Sequence, residues 1–278
     1  MKIVVTADST CDIPKSLIEK YKIIIFPLTV IMGDQEYRDG VNIDSNTIYQ
    51  FVDKYKILPK TSATTTYEYK EVFQKLKEEY DAIIHFSLSF EISSTGNNAL
   101  LASQEFENVY VIDTKSLSSG SGLLVLSCAE KVQKGLPLEQ ILEECRKEVD
   151  KVQCSFLINK LDYLKKGGRC SAVAFIGAKL LGLKVLIQLF DGKMDKGGIY
   201  KGKYSVCLSK YLKDMIEKYP PNLNRVFVTS SSPMPGIRDA FVEEVRALGF
   251  KDVIVQDAGA TICSHCGPET IGVLYLKQ

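Results

Sequence analysis

Strand-like and helix-like segments alternate through the first half of the chain, and this alternation constrains the fold more than any other feature. Short apolar runs typical of buried strands occupy residues 2–8 (KIVVTAD), 81–89 (DAIIHFSLS) and 108–113 (NVYVID). Amphipathic segments with helical spacing separate them, as in residues 67–80 (YEYKEVFQKLKEEY). Strands that alternate with helices in this way usually lie parallel. The pattern therefore predicts an α/β fold with a mostly parallel N-terminal sheet and helices on both of its faces.

The pattern changes after about residue 153, where strands become more frequent. The first strand-like segments of this part are residues 154–158 (CSFLI), 184–194 (KVLIQLFDGKM) and 198–206 (GIYKGKYSV). Asp191-Gly192 is typical of a two-residue hairpin turn. Because 278 residues suffice for two domains, we predict an N-terminal α/β domain over 1–153 and a C-terminal α/β domain over 154–278. The C-terminal sheet is expected to be mixed or antiparallel and flanked by helices.

Four polar clusters lie next to the predicted strands and helices of the first half. They are residues 8–12 (DSTCD), 61–66 (TSATTT), 87–95 (SLSFEISST) and 113–121 (DTKSLSSGS). In parallel sheets, ligands bind where the loops gather at the carboxyl ends of the strands. We therefore expect these hydroxyl-rich segments to meet around one ligand site.

Charge and hydropathy exclude several classes of protein. The 35 basic and 34 acidic residues give a net charge of +1, which disfavours a nucleic-acid partner. The N-terminus enters a strand without the pattern of a signal peptide. The apolar segment 172–190 is interrupted by Lys179, Lys184 and Gln188, so we interpret it as a buried helix followed by a buried strand. We expect a cytoplasmic protein with no integral membrane association.

Two glycine-rich stretches resemble nucleotide-binding loops, and both are incomplete. The fingerprint that begins at Gly120 has Val125 in place of its third glycine. A second stretch has Gly202-Lys203 at the spacing of a phosphate-binding loop, but Tyr204 stands where a Ser or Thr would ligate magnesium. A nucleotide site on this chain is therefore disfavoured.

Residues 263–266 (CSHC) place two thiols beside His265. A structural zinc site needs four ligands, and the chain offers no second Cys/His pair at matching spacing. A redox pair usually lies at the N-terminus of a helix, whereas Gly267-Pro268 here leads into a predicted strand. We therefore expect the cysteines to be core residues and His265 to be the functional side chain, beside a glycine turn at a strand entrance.

The other histidine, His85, lies inside an apolar run. Most histidines in such runs are core residues with a backbone hydrogen-bond partner, and we expect the same of His85.

Residues 163–171 (YLKKGGRCS) place Lys165, Lys166 and Arg169 around a Gly-Gly pair. The segment is either a solvated helix end or a basic rim that receives an anion or a partner protein. The residues alone do not decide between these interpretations.

Six motifs together resemble the DegV family in their order along the chain. They are TADSTCDIP (6–14), KTSATT (60–65), ISSTGNNA (92–99), VIDTKSLSSGSG (111–122), YLKKGGR (163–169) and SHCGPETIGVLYL (264–276). The resemblance spans essentially the whole chain. It implies a two-domain α/β protein that binds a long-chain fatty acid within and between its domains. The family includes the fatty-acid-binding subunits of bacterial fatty acid kinase, in which a separate subunit uses ATP and Mg to phosphorylate the bound carboxylate.

The same resemblance assigns roles to individual residues. It implies that the carboxylate contacts are Thr61, Ser62, Ser93, Ser94 and His265, with Ser94 in place of the usual glycine of the head-group loop. Arg169 matches a family arginine near the pocket mouth that is linked to the kinase partnership. Glu269 replaces a second glycine that usually follows the HCGP motif. The resemblance implies no catalytic residue, no metal and no cofactor on this chain.

Elementary chemistry agrees with such a head-group site. A buried carboxylate is costly unless hydrogen bonds replace its water, and hydroxyls with an imidazole supply them without permanently neutralising an oxygen that must later act as a nucleophile. A helix that begins near Ser93 adds free N–H groups. For the acyl tail, the candidates are Phe26, Leu28, Val30 and the apolar positions of 172–190.

The leading hypothesis is a non-catalytic fatty-acid carrier that presents the head group to a kinase. The alternative is a stand-alone enzyme on an acyl or phosphorylated small molecule, with His265 as acid/base and Ser93 as nucleophile. A DNA-binding regulator is disfavoured by the neutral charge.

Overall fold

A computed structural model describes residues 1–170 and 182–278 of the chain. Its strands are β1 (Ile3–Asp8), β2 (Ile24–Phe26), β3 (Thr29–Met32), β4 (Gln35–Arg38), β5 (Lys60–Ser62), β6 (Ala82–Ser87), β7 (Val109–Asp113), β8 (Val152–Ile158), β9 (Leu183–Phe190), β10 (Lys193–Lys201), β11 (Pro221–Ser230), β12 (Asp252–Asp257) and β13 (Thr270–Lys277). Its helices are α1 (Lys15–Tyr21), α2 (Ser45–Tyr55), α3 (Thr66–Lys77), α4 (Thr95–Ser103), α5 (Ser119–Gln133), α6 (Leu138–Val149), α7 (Asp162–Gly167), α8 (Tyr204–Lys218), α9 (Ile237–Arg246) and α10 (Ala260–Cys266). A short 3₁₀ helix covers Ser9–Cys11.

The N-terminal sheet has the strand order β2-β1-β6-β7, and all its strands are parallel. Every residue of β6 is buried, as expected for a strand covered on both faces. Val4 and Ile83 pack toward α3 and α4, while Val5 and Ile84 belong to the core on the opposite face with α5. The predicted parallel sheet with helices on both faces is confirmed.

The second sheet has the order β10-β9-β8-β13-β11-β12 and is mixed. Only β11 and β12 pair in parallel; the other neighbours are antiparallel. Asp191 and Gly192 join β9 to β10 with φ of 45° and 80°, the two positive φ values that a tight hairpin turn requires. The predicted mixed sheet and its hairpin are confirmed. Along the chain, the first strand of this sheet is β8, which starts at Val152. The division into domains 1–153 and 154–278 stays a prediction.

Helix α5 lies between the two sheets. It contacts β1 and β6 on one side and β8, β11 and β13 on the other. Its first eight residues are all buried, and its apolar side chains share one core with both sheets. A helix that is apolar all round is typical of such a central position.

A third sheet, β4-β3-β5, is antiparallel and was not predicted. By sequence pattern alone, residues 23–32 (IIIFPLTVIM) are typical of one extended run and residues 59–66 (PKTSATTT) of a Thr-rich turn. Pro27 interrupts the run, so β2 ends at Phe26 and β3 begins at Thr29 in a different sheet. Strands of three or four residues carry little periodicity, which is why β5 was missed.

The segment 198–206 is also only partly a strand. Strand β10 ends at Lys201, and α8 begins at Tyr204. Buried residues of α8 at helical spacing include Tyr204, Cys207, Leu208 and Tyr211, so the prediction of a strand through residue 206 was wrong.

The apolar segment 172–190 is described only in part. Its predicted strand corresponds to β9, whereas the predicted helix falls on residues 172–181, which lie outside the described residues. Of the helices that the structure describes, none combines the length and apolarity needed to cross a membrane.

Candidate ligand-binding site

A cavity of about 60 Å³ lies where the loops of the parallel sheet meet the mixed sheet. Its apolar lining residues are Leu28, Leu88, Ile92, Leu117, Phe156, Leu164, Met194, Ile262 and Cys266, and its polar lining residues are Thr10, Thr61, Ser93, Arg169, Thr261 and His265. The lining therefore comes from both sides of the predicted domain boundary. A mostly apolar wall with a few converging polar groups is typical of a small-molecule site.

All four hydroxyl-rich segments reach this cavity. Thr10 follows β1, and Ser93 lies in the loop that follows β6, at the carboxyl ends of neighbouring parallel strands. Thr61 lies on β5, which the three-stranded sheet holds in place through its pairing with Val30. The last segment contributes Leu117. The structure thus brings the four segments together at the sheet edge, as the sequence indicated.

His265 lies in the last turn of α10, beside the Gly267 turn that leads into β13. The helix ends at Gly267, whose φ of 70° favours glycine. The His265 Nε2 atom lies 2.9 Å from Thr61 Oγ1. Its Nδ1 atom is buried and has no hydrogen-bond partner among the described residues. Gly167 lies close to this nitrogen: a Cβ added at Gly167 would lie 2.9 Å from His265 Nδ1.

The imidazole of His265 is neutral at physiological pH. Burial, with a smaller contribution from the charge of Arg169, lowers its pKa to about 4. A neutral imidazole has one N–H donor and one acceptor nitrogen. It can therefore donate a single hydrogen bond to a ligand.

Two threonines that the sequence analysis did not single out also line the cavity. The Oγ1 atoms of Thr10 and Thr261 are buried and make no hydrogen bond within the described chain. Thr10 belongs to a polar cluster that was noted, but Thr261 was missed because α10 was not predicted. In a helix, residues four apart share a face, so a helical interpretation would have placed Thr261 beside His265.

The predicted serines occupy different positions. Ser93 lines the cavity, and its Oγ accepts a hydrogen bond from the Thr95 backbone N–H at 3.2 Å. Ser62 is exposed and does not line the cavity, because neighbouring residues of a strand point to opposite faces and Thr61 faces inward. Ser94 is exposed at the start of α4 and is also absent from the cavity wall. A carboxylate contact from Ser62 or Ser94 therefore stays a prediction, and neither side chain lines the cavity.

Arg169 lies at the mouth of the cavity. It lines the cavity and is exposed, and its Nη1 donates a hydrogen bond to the Gly167 carbonyl at 2.9 Å. Lys165 and Lys166, in contrast, are exposed at the end of α7 and do not line the cavity. The segment thus combines a solvated helix end with one arginine at the rim.

The model of the DegV family, described as uncharacterised proteins, matches residues 2–278. The chain belongs to the DegV family.

Relatives within the DegV family cover nearly the whole chain. A fatty acid-binding protein from Thermotoga maritima is 29% identical over 279 residues, which are 98% of this chain and 96% of that protein. A structure described as fatty acid binding of a DegV family protein from Thermus thermophilus is 29% identical, covers 100% of both chains and has a TM-score of 0.92. A stearic acid-binding protein from Eubacterium ventriosum is 27% identical, with 98% and 97% of the chains covered and a TM-score of 0.87.

In this DegV chain a second cavity, of about 40 Å³, adjoins the first. The two cavities share Leu117, Phe156, Ile262 and Cys266 as lining residues. Of the three tail candidates in residues 26–30, only Leu28 lines either cavity, because Phe26 and Val30 pack into separate core clusters. The apolar space therefore runs toward the mixed sheet and away from β2 and β3.

The two cysteines beside His265 are buried. A hydrogen bond with Cys266, followed by burial, raises the pKa of the Cys263 thiol well above its usual range, so this thiol stays protonated. Cys263 and Cys266 lie in the C-terminal turn of α10, where the helix dipole does not favour a thiolate. In residues 1–170 and 182–278, no three His, Cys, Asp or Glu side chains form a group that could hold a metal ion.

His85 is a core residue of β6 and lies away from the cavity. Its Nδ1 lies 2.9 Å from Thr6 Oγ1, and its Nε2 lies 3.4 Å from Asp8 Oδ1. The predicted backbone partner is thus replaced by side chains. The rings of Phe26, Tyr69 and Phe73 surround the imidazole.

Proposed function

We propose that this protein binds a long-chain fatty acid and presents its carboxylate to a separate ATP-dependent kinase subunit. The observation that carries the proposal is the cavity wall, which is mostly apolar but contains three buried polar atoms without partners. These atoms are Thr10 Oγ1, Thr261 Oγ1 and His265 Nδ1, and none of them has a hydrogen-bond partner among the described residues. Buried polar groups of this kind usually satisfy a ligand or ordered water.

The polar groups suit a carboxylate head group. Hydroxyls of Thr10 and Thr261 can donate hydrogen bonds to its oxygens. The hydrogen-bonded pair of Thr61 and neutral His265 can donate one more, from Thr61 when His265 Nε2–H donates to Thr61, or from His265 Nδ1–H when Nε2 accepts from Thr61. Several such bonds offset the cost of removing the anion from water. Arg169, the one cationic lining residue among those described, is exposed at the mouth and does not bury an ion pair with the head group.

The apolar wall suits an acyl chain. Each buried methylene contributes roughly 0.8 kcal/mol to binding, so the affinity for a long chain depends on how far the chain enters the apolar space. The adjoining cavities at Phe156 and Ile262 provide a path toward the mixed sheet. The stearic acid-binding relative supports an acyl chain of this class.

The exposed Arg169 at the rim of the cavity supports presentation of the head group to a kinase. One carboxylate oxygen would attack the γ-phosphorus of ATP on the partner, the bond to the β-phosphate oxygen would break, and ADP would leave as an acyl phosphate forms. ATP and Mg would belong to the partner, and this chain would supply only binding and orientation. The buried free thiols of Cys11, Cys128, Cys145, Cys154, Cys207, Cys263 and Cys266 suit a reducing compartment, which supports our expectation of a cytoplasmic location.

The binding half of the proposal is tested by native mass spectrometry of protein purified from a bacterial host. We expect a co-purified fatty acid. A clean apo mass, together with no binding of added stearic acid, would contradict the proposal.

The kinase half is tested with Arg169→Ala, since Arg169 is exposed at the mouth. We expect this variant to bind stearic acid within about twofold of the wild type, because no buried hydrogen bond is lost. We also expect partner-dependent phosphorylation to slow severalfold, and Lys166→Ala serves as the matched basic control. If Arg169→Ala instead empties the cavity, the separation between binding site and docking rim is wrong.

The stand-alone enzyme does not gain support from the geometry. His265 Nε2 contacts Thr61 and not Ser93, and the nearest charge that affects His265 is the cationic Arg169 and not an orienting carboxylate.

A further inference from the structure

The first turn of α10 is held by two buried carboxylates from distant parts of the chain. The Gly259 backbone N–H donates to Asp12 Oδ1 at 2.9 Å, and the Ala260 N–H donates to Asp39 Oδ1 at 2.8 Å. Asp12 is 5% exposed and Asp39 is 1% exposed. The first N–H groups of a helix have no partner within the helix, so these contacts satisfy two donors that would otherwise be buried and unpaired. We call Asp12 and Asp39 the acid clamp.

The second oxygen of each carboxylate connects the clamp to other walls of the cavity. Asp12 Oδ2 accepts a hydrogen bond from Ser118, which immediately precedes α5. Asp39 Oδ2 accepts one from Ser9 Oγ at 2.8 Å, and Ser9 Oγ in turn accepts the Leu28 N–H at 3.1 Å. Ser9 adjoins Thr10, and Leu28 lines the cavity. The clamp therefore ties α10 to three other lining segments.

Gly259 is packed directly against the clamp. A Cβ added at Gly259 would lie 3.0 Å from Asp12 Oδ1 and 3.1 Å from Asp39 Oδ1. The φ of Gly259 is −66°, so alanine is conformationally allowed there. The glycine is needed because of the close approach and not because of the backbone angle.

We infer that Asp12 and Asp39 are positioning residues that hold α10 so that Thr261 and His265 face the ligand head group. The inference rests on the proposed function for the identity of the ligand. Thr261, Ile262, His265 and Cys266 all line the cavity from α10, a helix of only seven residues. Such a short helix is not stable by itself and depends on tertiary contacts. A change at the clamp therefore moves the ligand contacts although neither carboxylate lines the cavity.

The charge state of Asp12 offers a way to test the acid clamp through the pH dependence of ligand affinity. Burial, with a contribution from nearby Asp39, raises the pKa of Asp12 to about 8. The other titratable groups that face Asp12 in the described chain are the thiols of Cys11 and Cys263. Above pH 8 a second negative charge appears beside Asp39, and like charges at this distance repel each other. We expect the affinity for the ligand to fall as the pH rises from 7 to 9.

The test compares Asp12→Ala, Asp39→Ala and Gly259→Ala with the conservative Asp12→Asn. Asp12 has a φ of 43°, a conformation that asparagine tolerates, and an amide can keep both hydrogen bonds while staying neutral. Asp239→Ala is the matched control, because Asp239 also accepts a hydrogen bond at the start of a helix, from Gly236 N at 3.2 Å on α9. Stearic acid affinity is measured at pH 7 and pH 9, and amide hydrogen exchange of α10 is measured in the ligand-free protein.

We expect Asp12→Ala, Asp39→Ala and Gly259→Ala to bind stearic acid about tenfold more weakly than the wild type and to exchange the α10 amides faster. At pH 7, Asp12→Asn should bind stearic acid like the wild type. At pH 9 the variant should keep this affinity, whereas the wild type should bind more weakly. A purely structural role does not produce this difference. The control should leave both measurements unchanged.

Unchanged affinity and unchanged exchange in the alanine variants would overturn the inference. So would a pH dependence in Asp12→Asn equal to that of the wild type. If Asp12→Ala and Asp39→Ala fail to fold, Gly259→Ala and Asp12→Asn decide the question. If the wild type itself binds no fatty acid, the proposed function fails, whereas the exchange measurement still tests the clamp.

Discussion

The two histidines of the chain lie in contrasting surroundings. His85 lies on a central strand of the parallel sheet, with both ring nitrogens near side chains and aromatic rings around it. His265 lies on a short helix, with one nitrogen bonded to Thr61 and the other buried without a partner among the described residues. His85 is fully buried, whereas His265 is partly exposed. Each histidine has one buried ring nitrogen without a hydrogen-bond partner among the described residues. The difference is the cavity, which His265 lines and His85 does not.

The largest effect that tests this comparison is expected at His85. His85→Ala leaves a void among Phe26, Tyr69 and Phe73, and it should lower the free energy of unfolding by about 3 kcal/mol. Urea denaturation measures this loss. Stearic acid affinity per folded molecule should stay within about twofold of the wild type. If His85→Ala instead kept its stability and lost binding, the roles assigned to the two histidines would be reversed.

The complementary change is His265→Ala, which removes a donor from the cavity. We expect stearic acid affinity to fall about tenfold, since a hydrogen bond to a charged group is lost. Isothermal titration measures the affinity. His265→Gln keeps an N–H donor and should recover part of the loss. Equal affinity in all three proteins would remove His265 from the site.

A smaller effect is expected in the pH dependence of stability, through His265. The pKa of His265 is about 4 in the folded protein, against an ordinary value near 6.5. Between these values the unfolded chain binds more protons than the native protein, so this group destabilises the fold as the pH falls from about 6.5 to 4. His265→Gln should lose less stability over this range than the wild type. Denaturation midpoints at pH 4.5 and 7 check this, and parallel losses in both proteins would contradict it.

The smallest effect is expected from the thiols that flank His265. Replacing Cys263 and Cys266 with serine should change stearic acid affinity by less than about threefold, because Cys263 does not line the cavity and Cys266 contributes only one small side chain to its wall. A fluorescent fatty-acid competition assay measures this, with Cys207→Ser as the control in α8. A large loss specific to the pair would show that the cysteines contribute to the site.

The short helix that carries His265 shows why part of the site could not be predicted. Residues 260–266 (ATICSHC) contain β-branched residues, serine and cysteines, which have no strong helix propensity. The helix forms because Asp12 and Asp39 satisfy its first N–H groups from more than 200 positions away in the chain. No local pattern contains that information, and Thr261 was missed for the same reason.

The sequence by itself determined the alternating strands and helices of the parallel sheet, the hairpin at Asp191-Gly192 and the gathering of hydroxyl-rich loops at one sheet edge. These features follow from local periodicity, turn chemistry and the geometry of parallel strands. Only the tertiary structure decided which hydroxyls reach the cavity: Thr61 faces it, whereas Ser62 does not. The direction of a side chain depends on what its backbone pairs with and packs against, and those partners are distant in the chain.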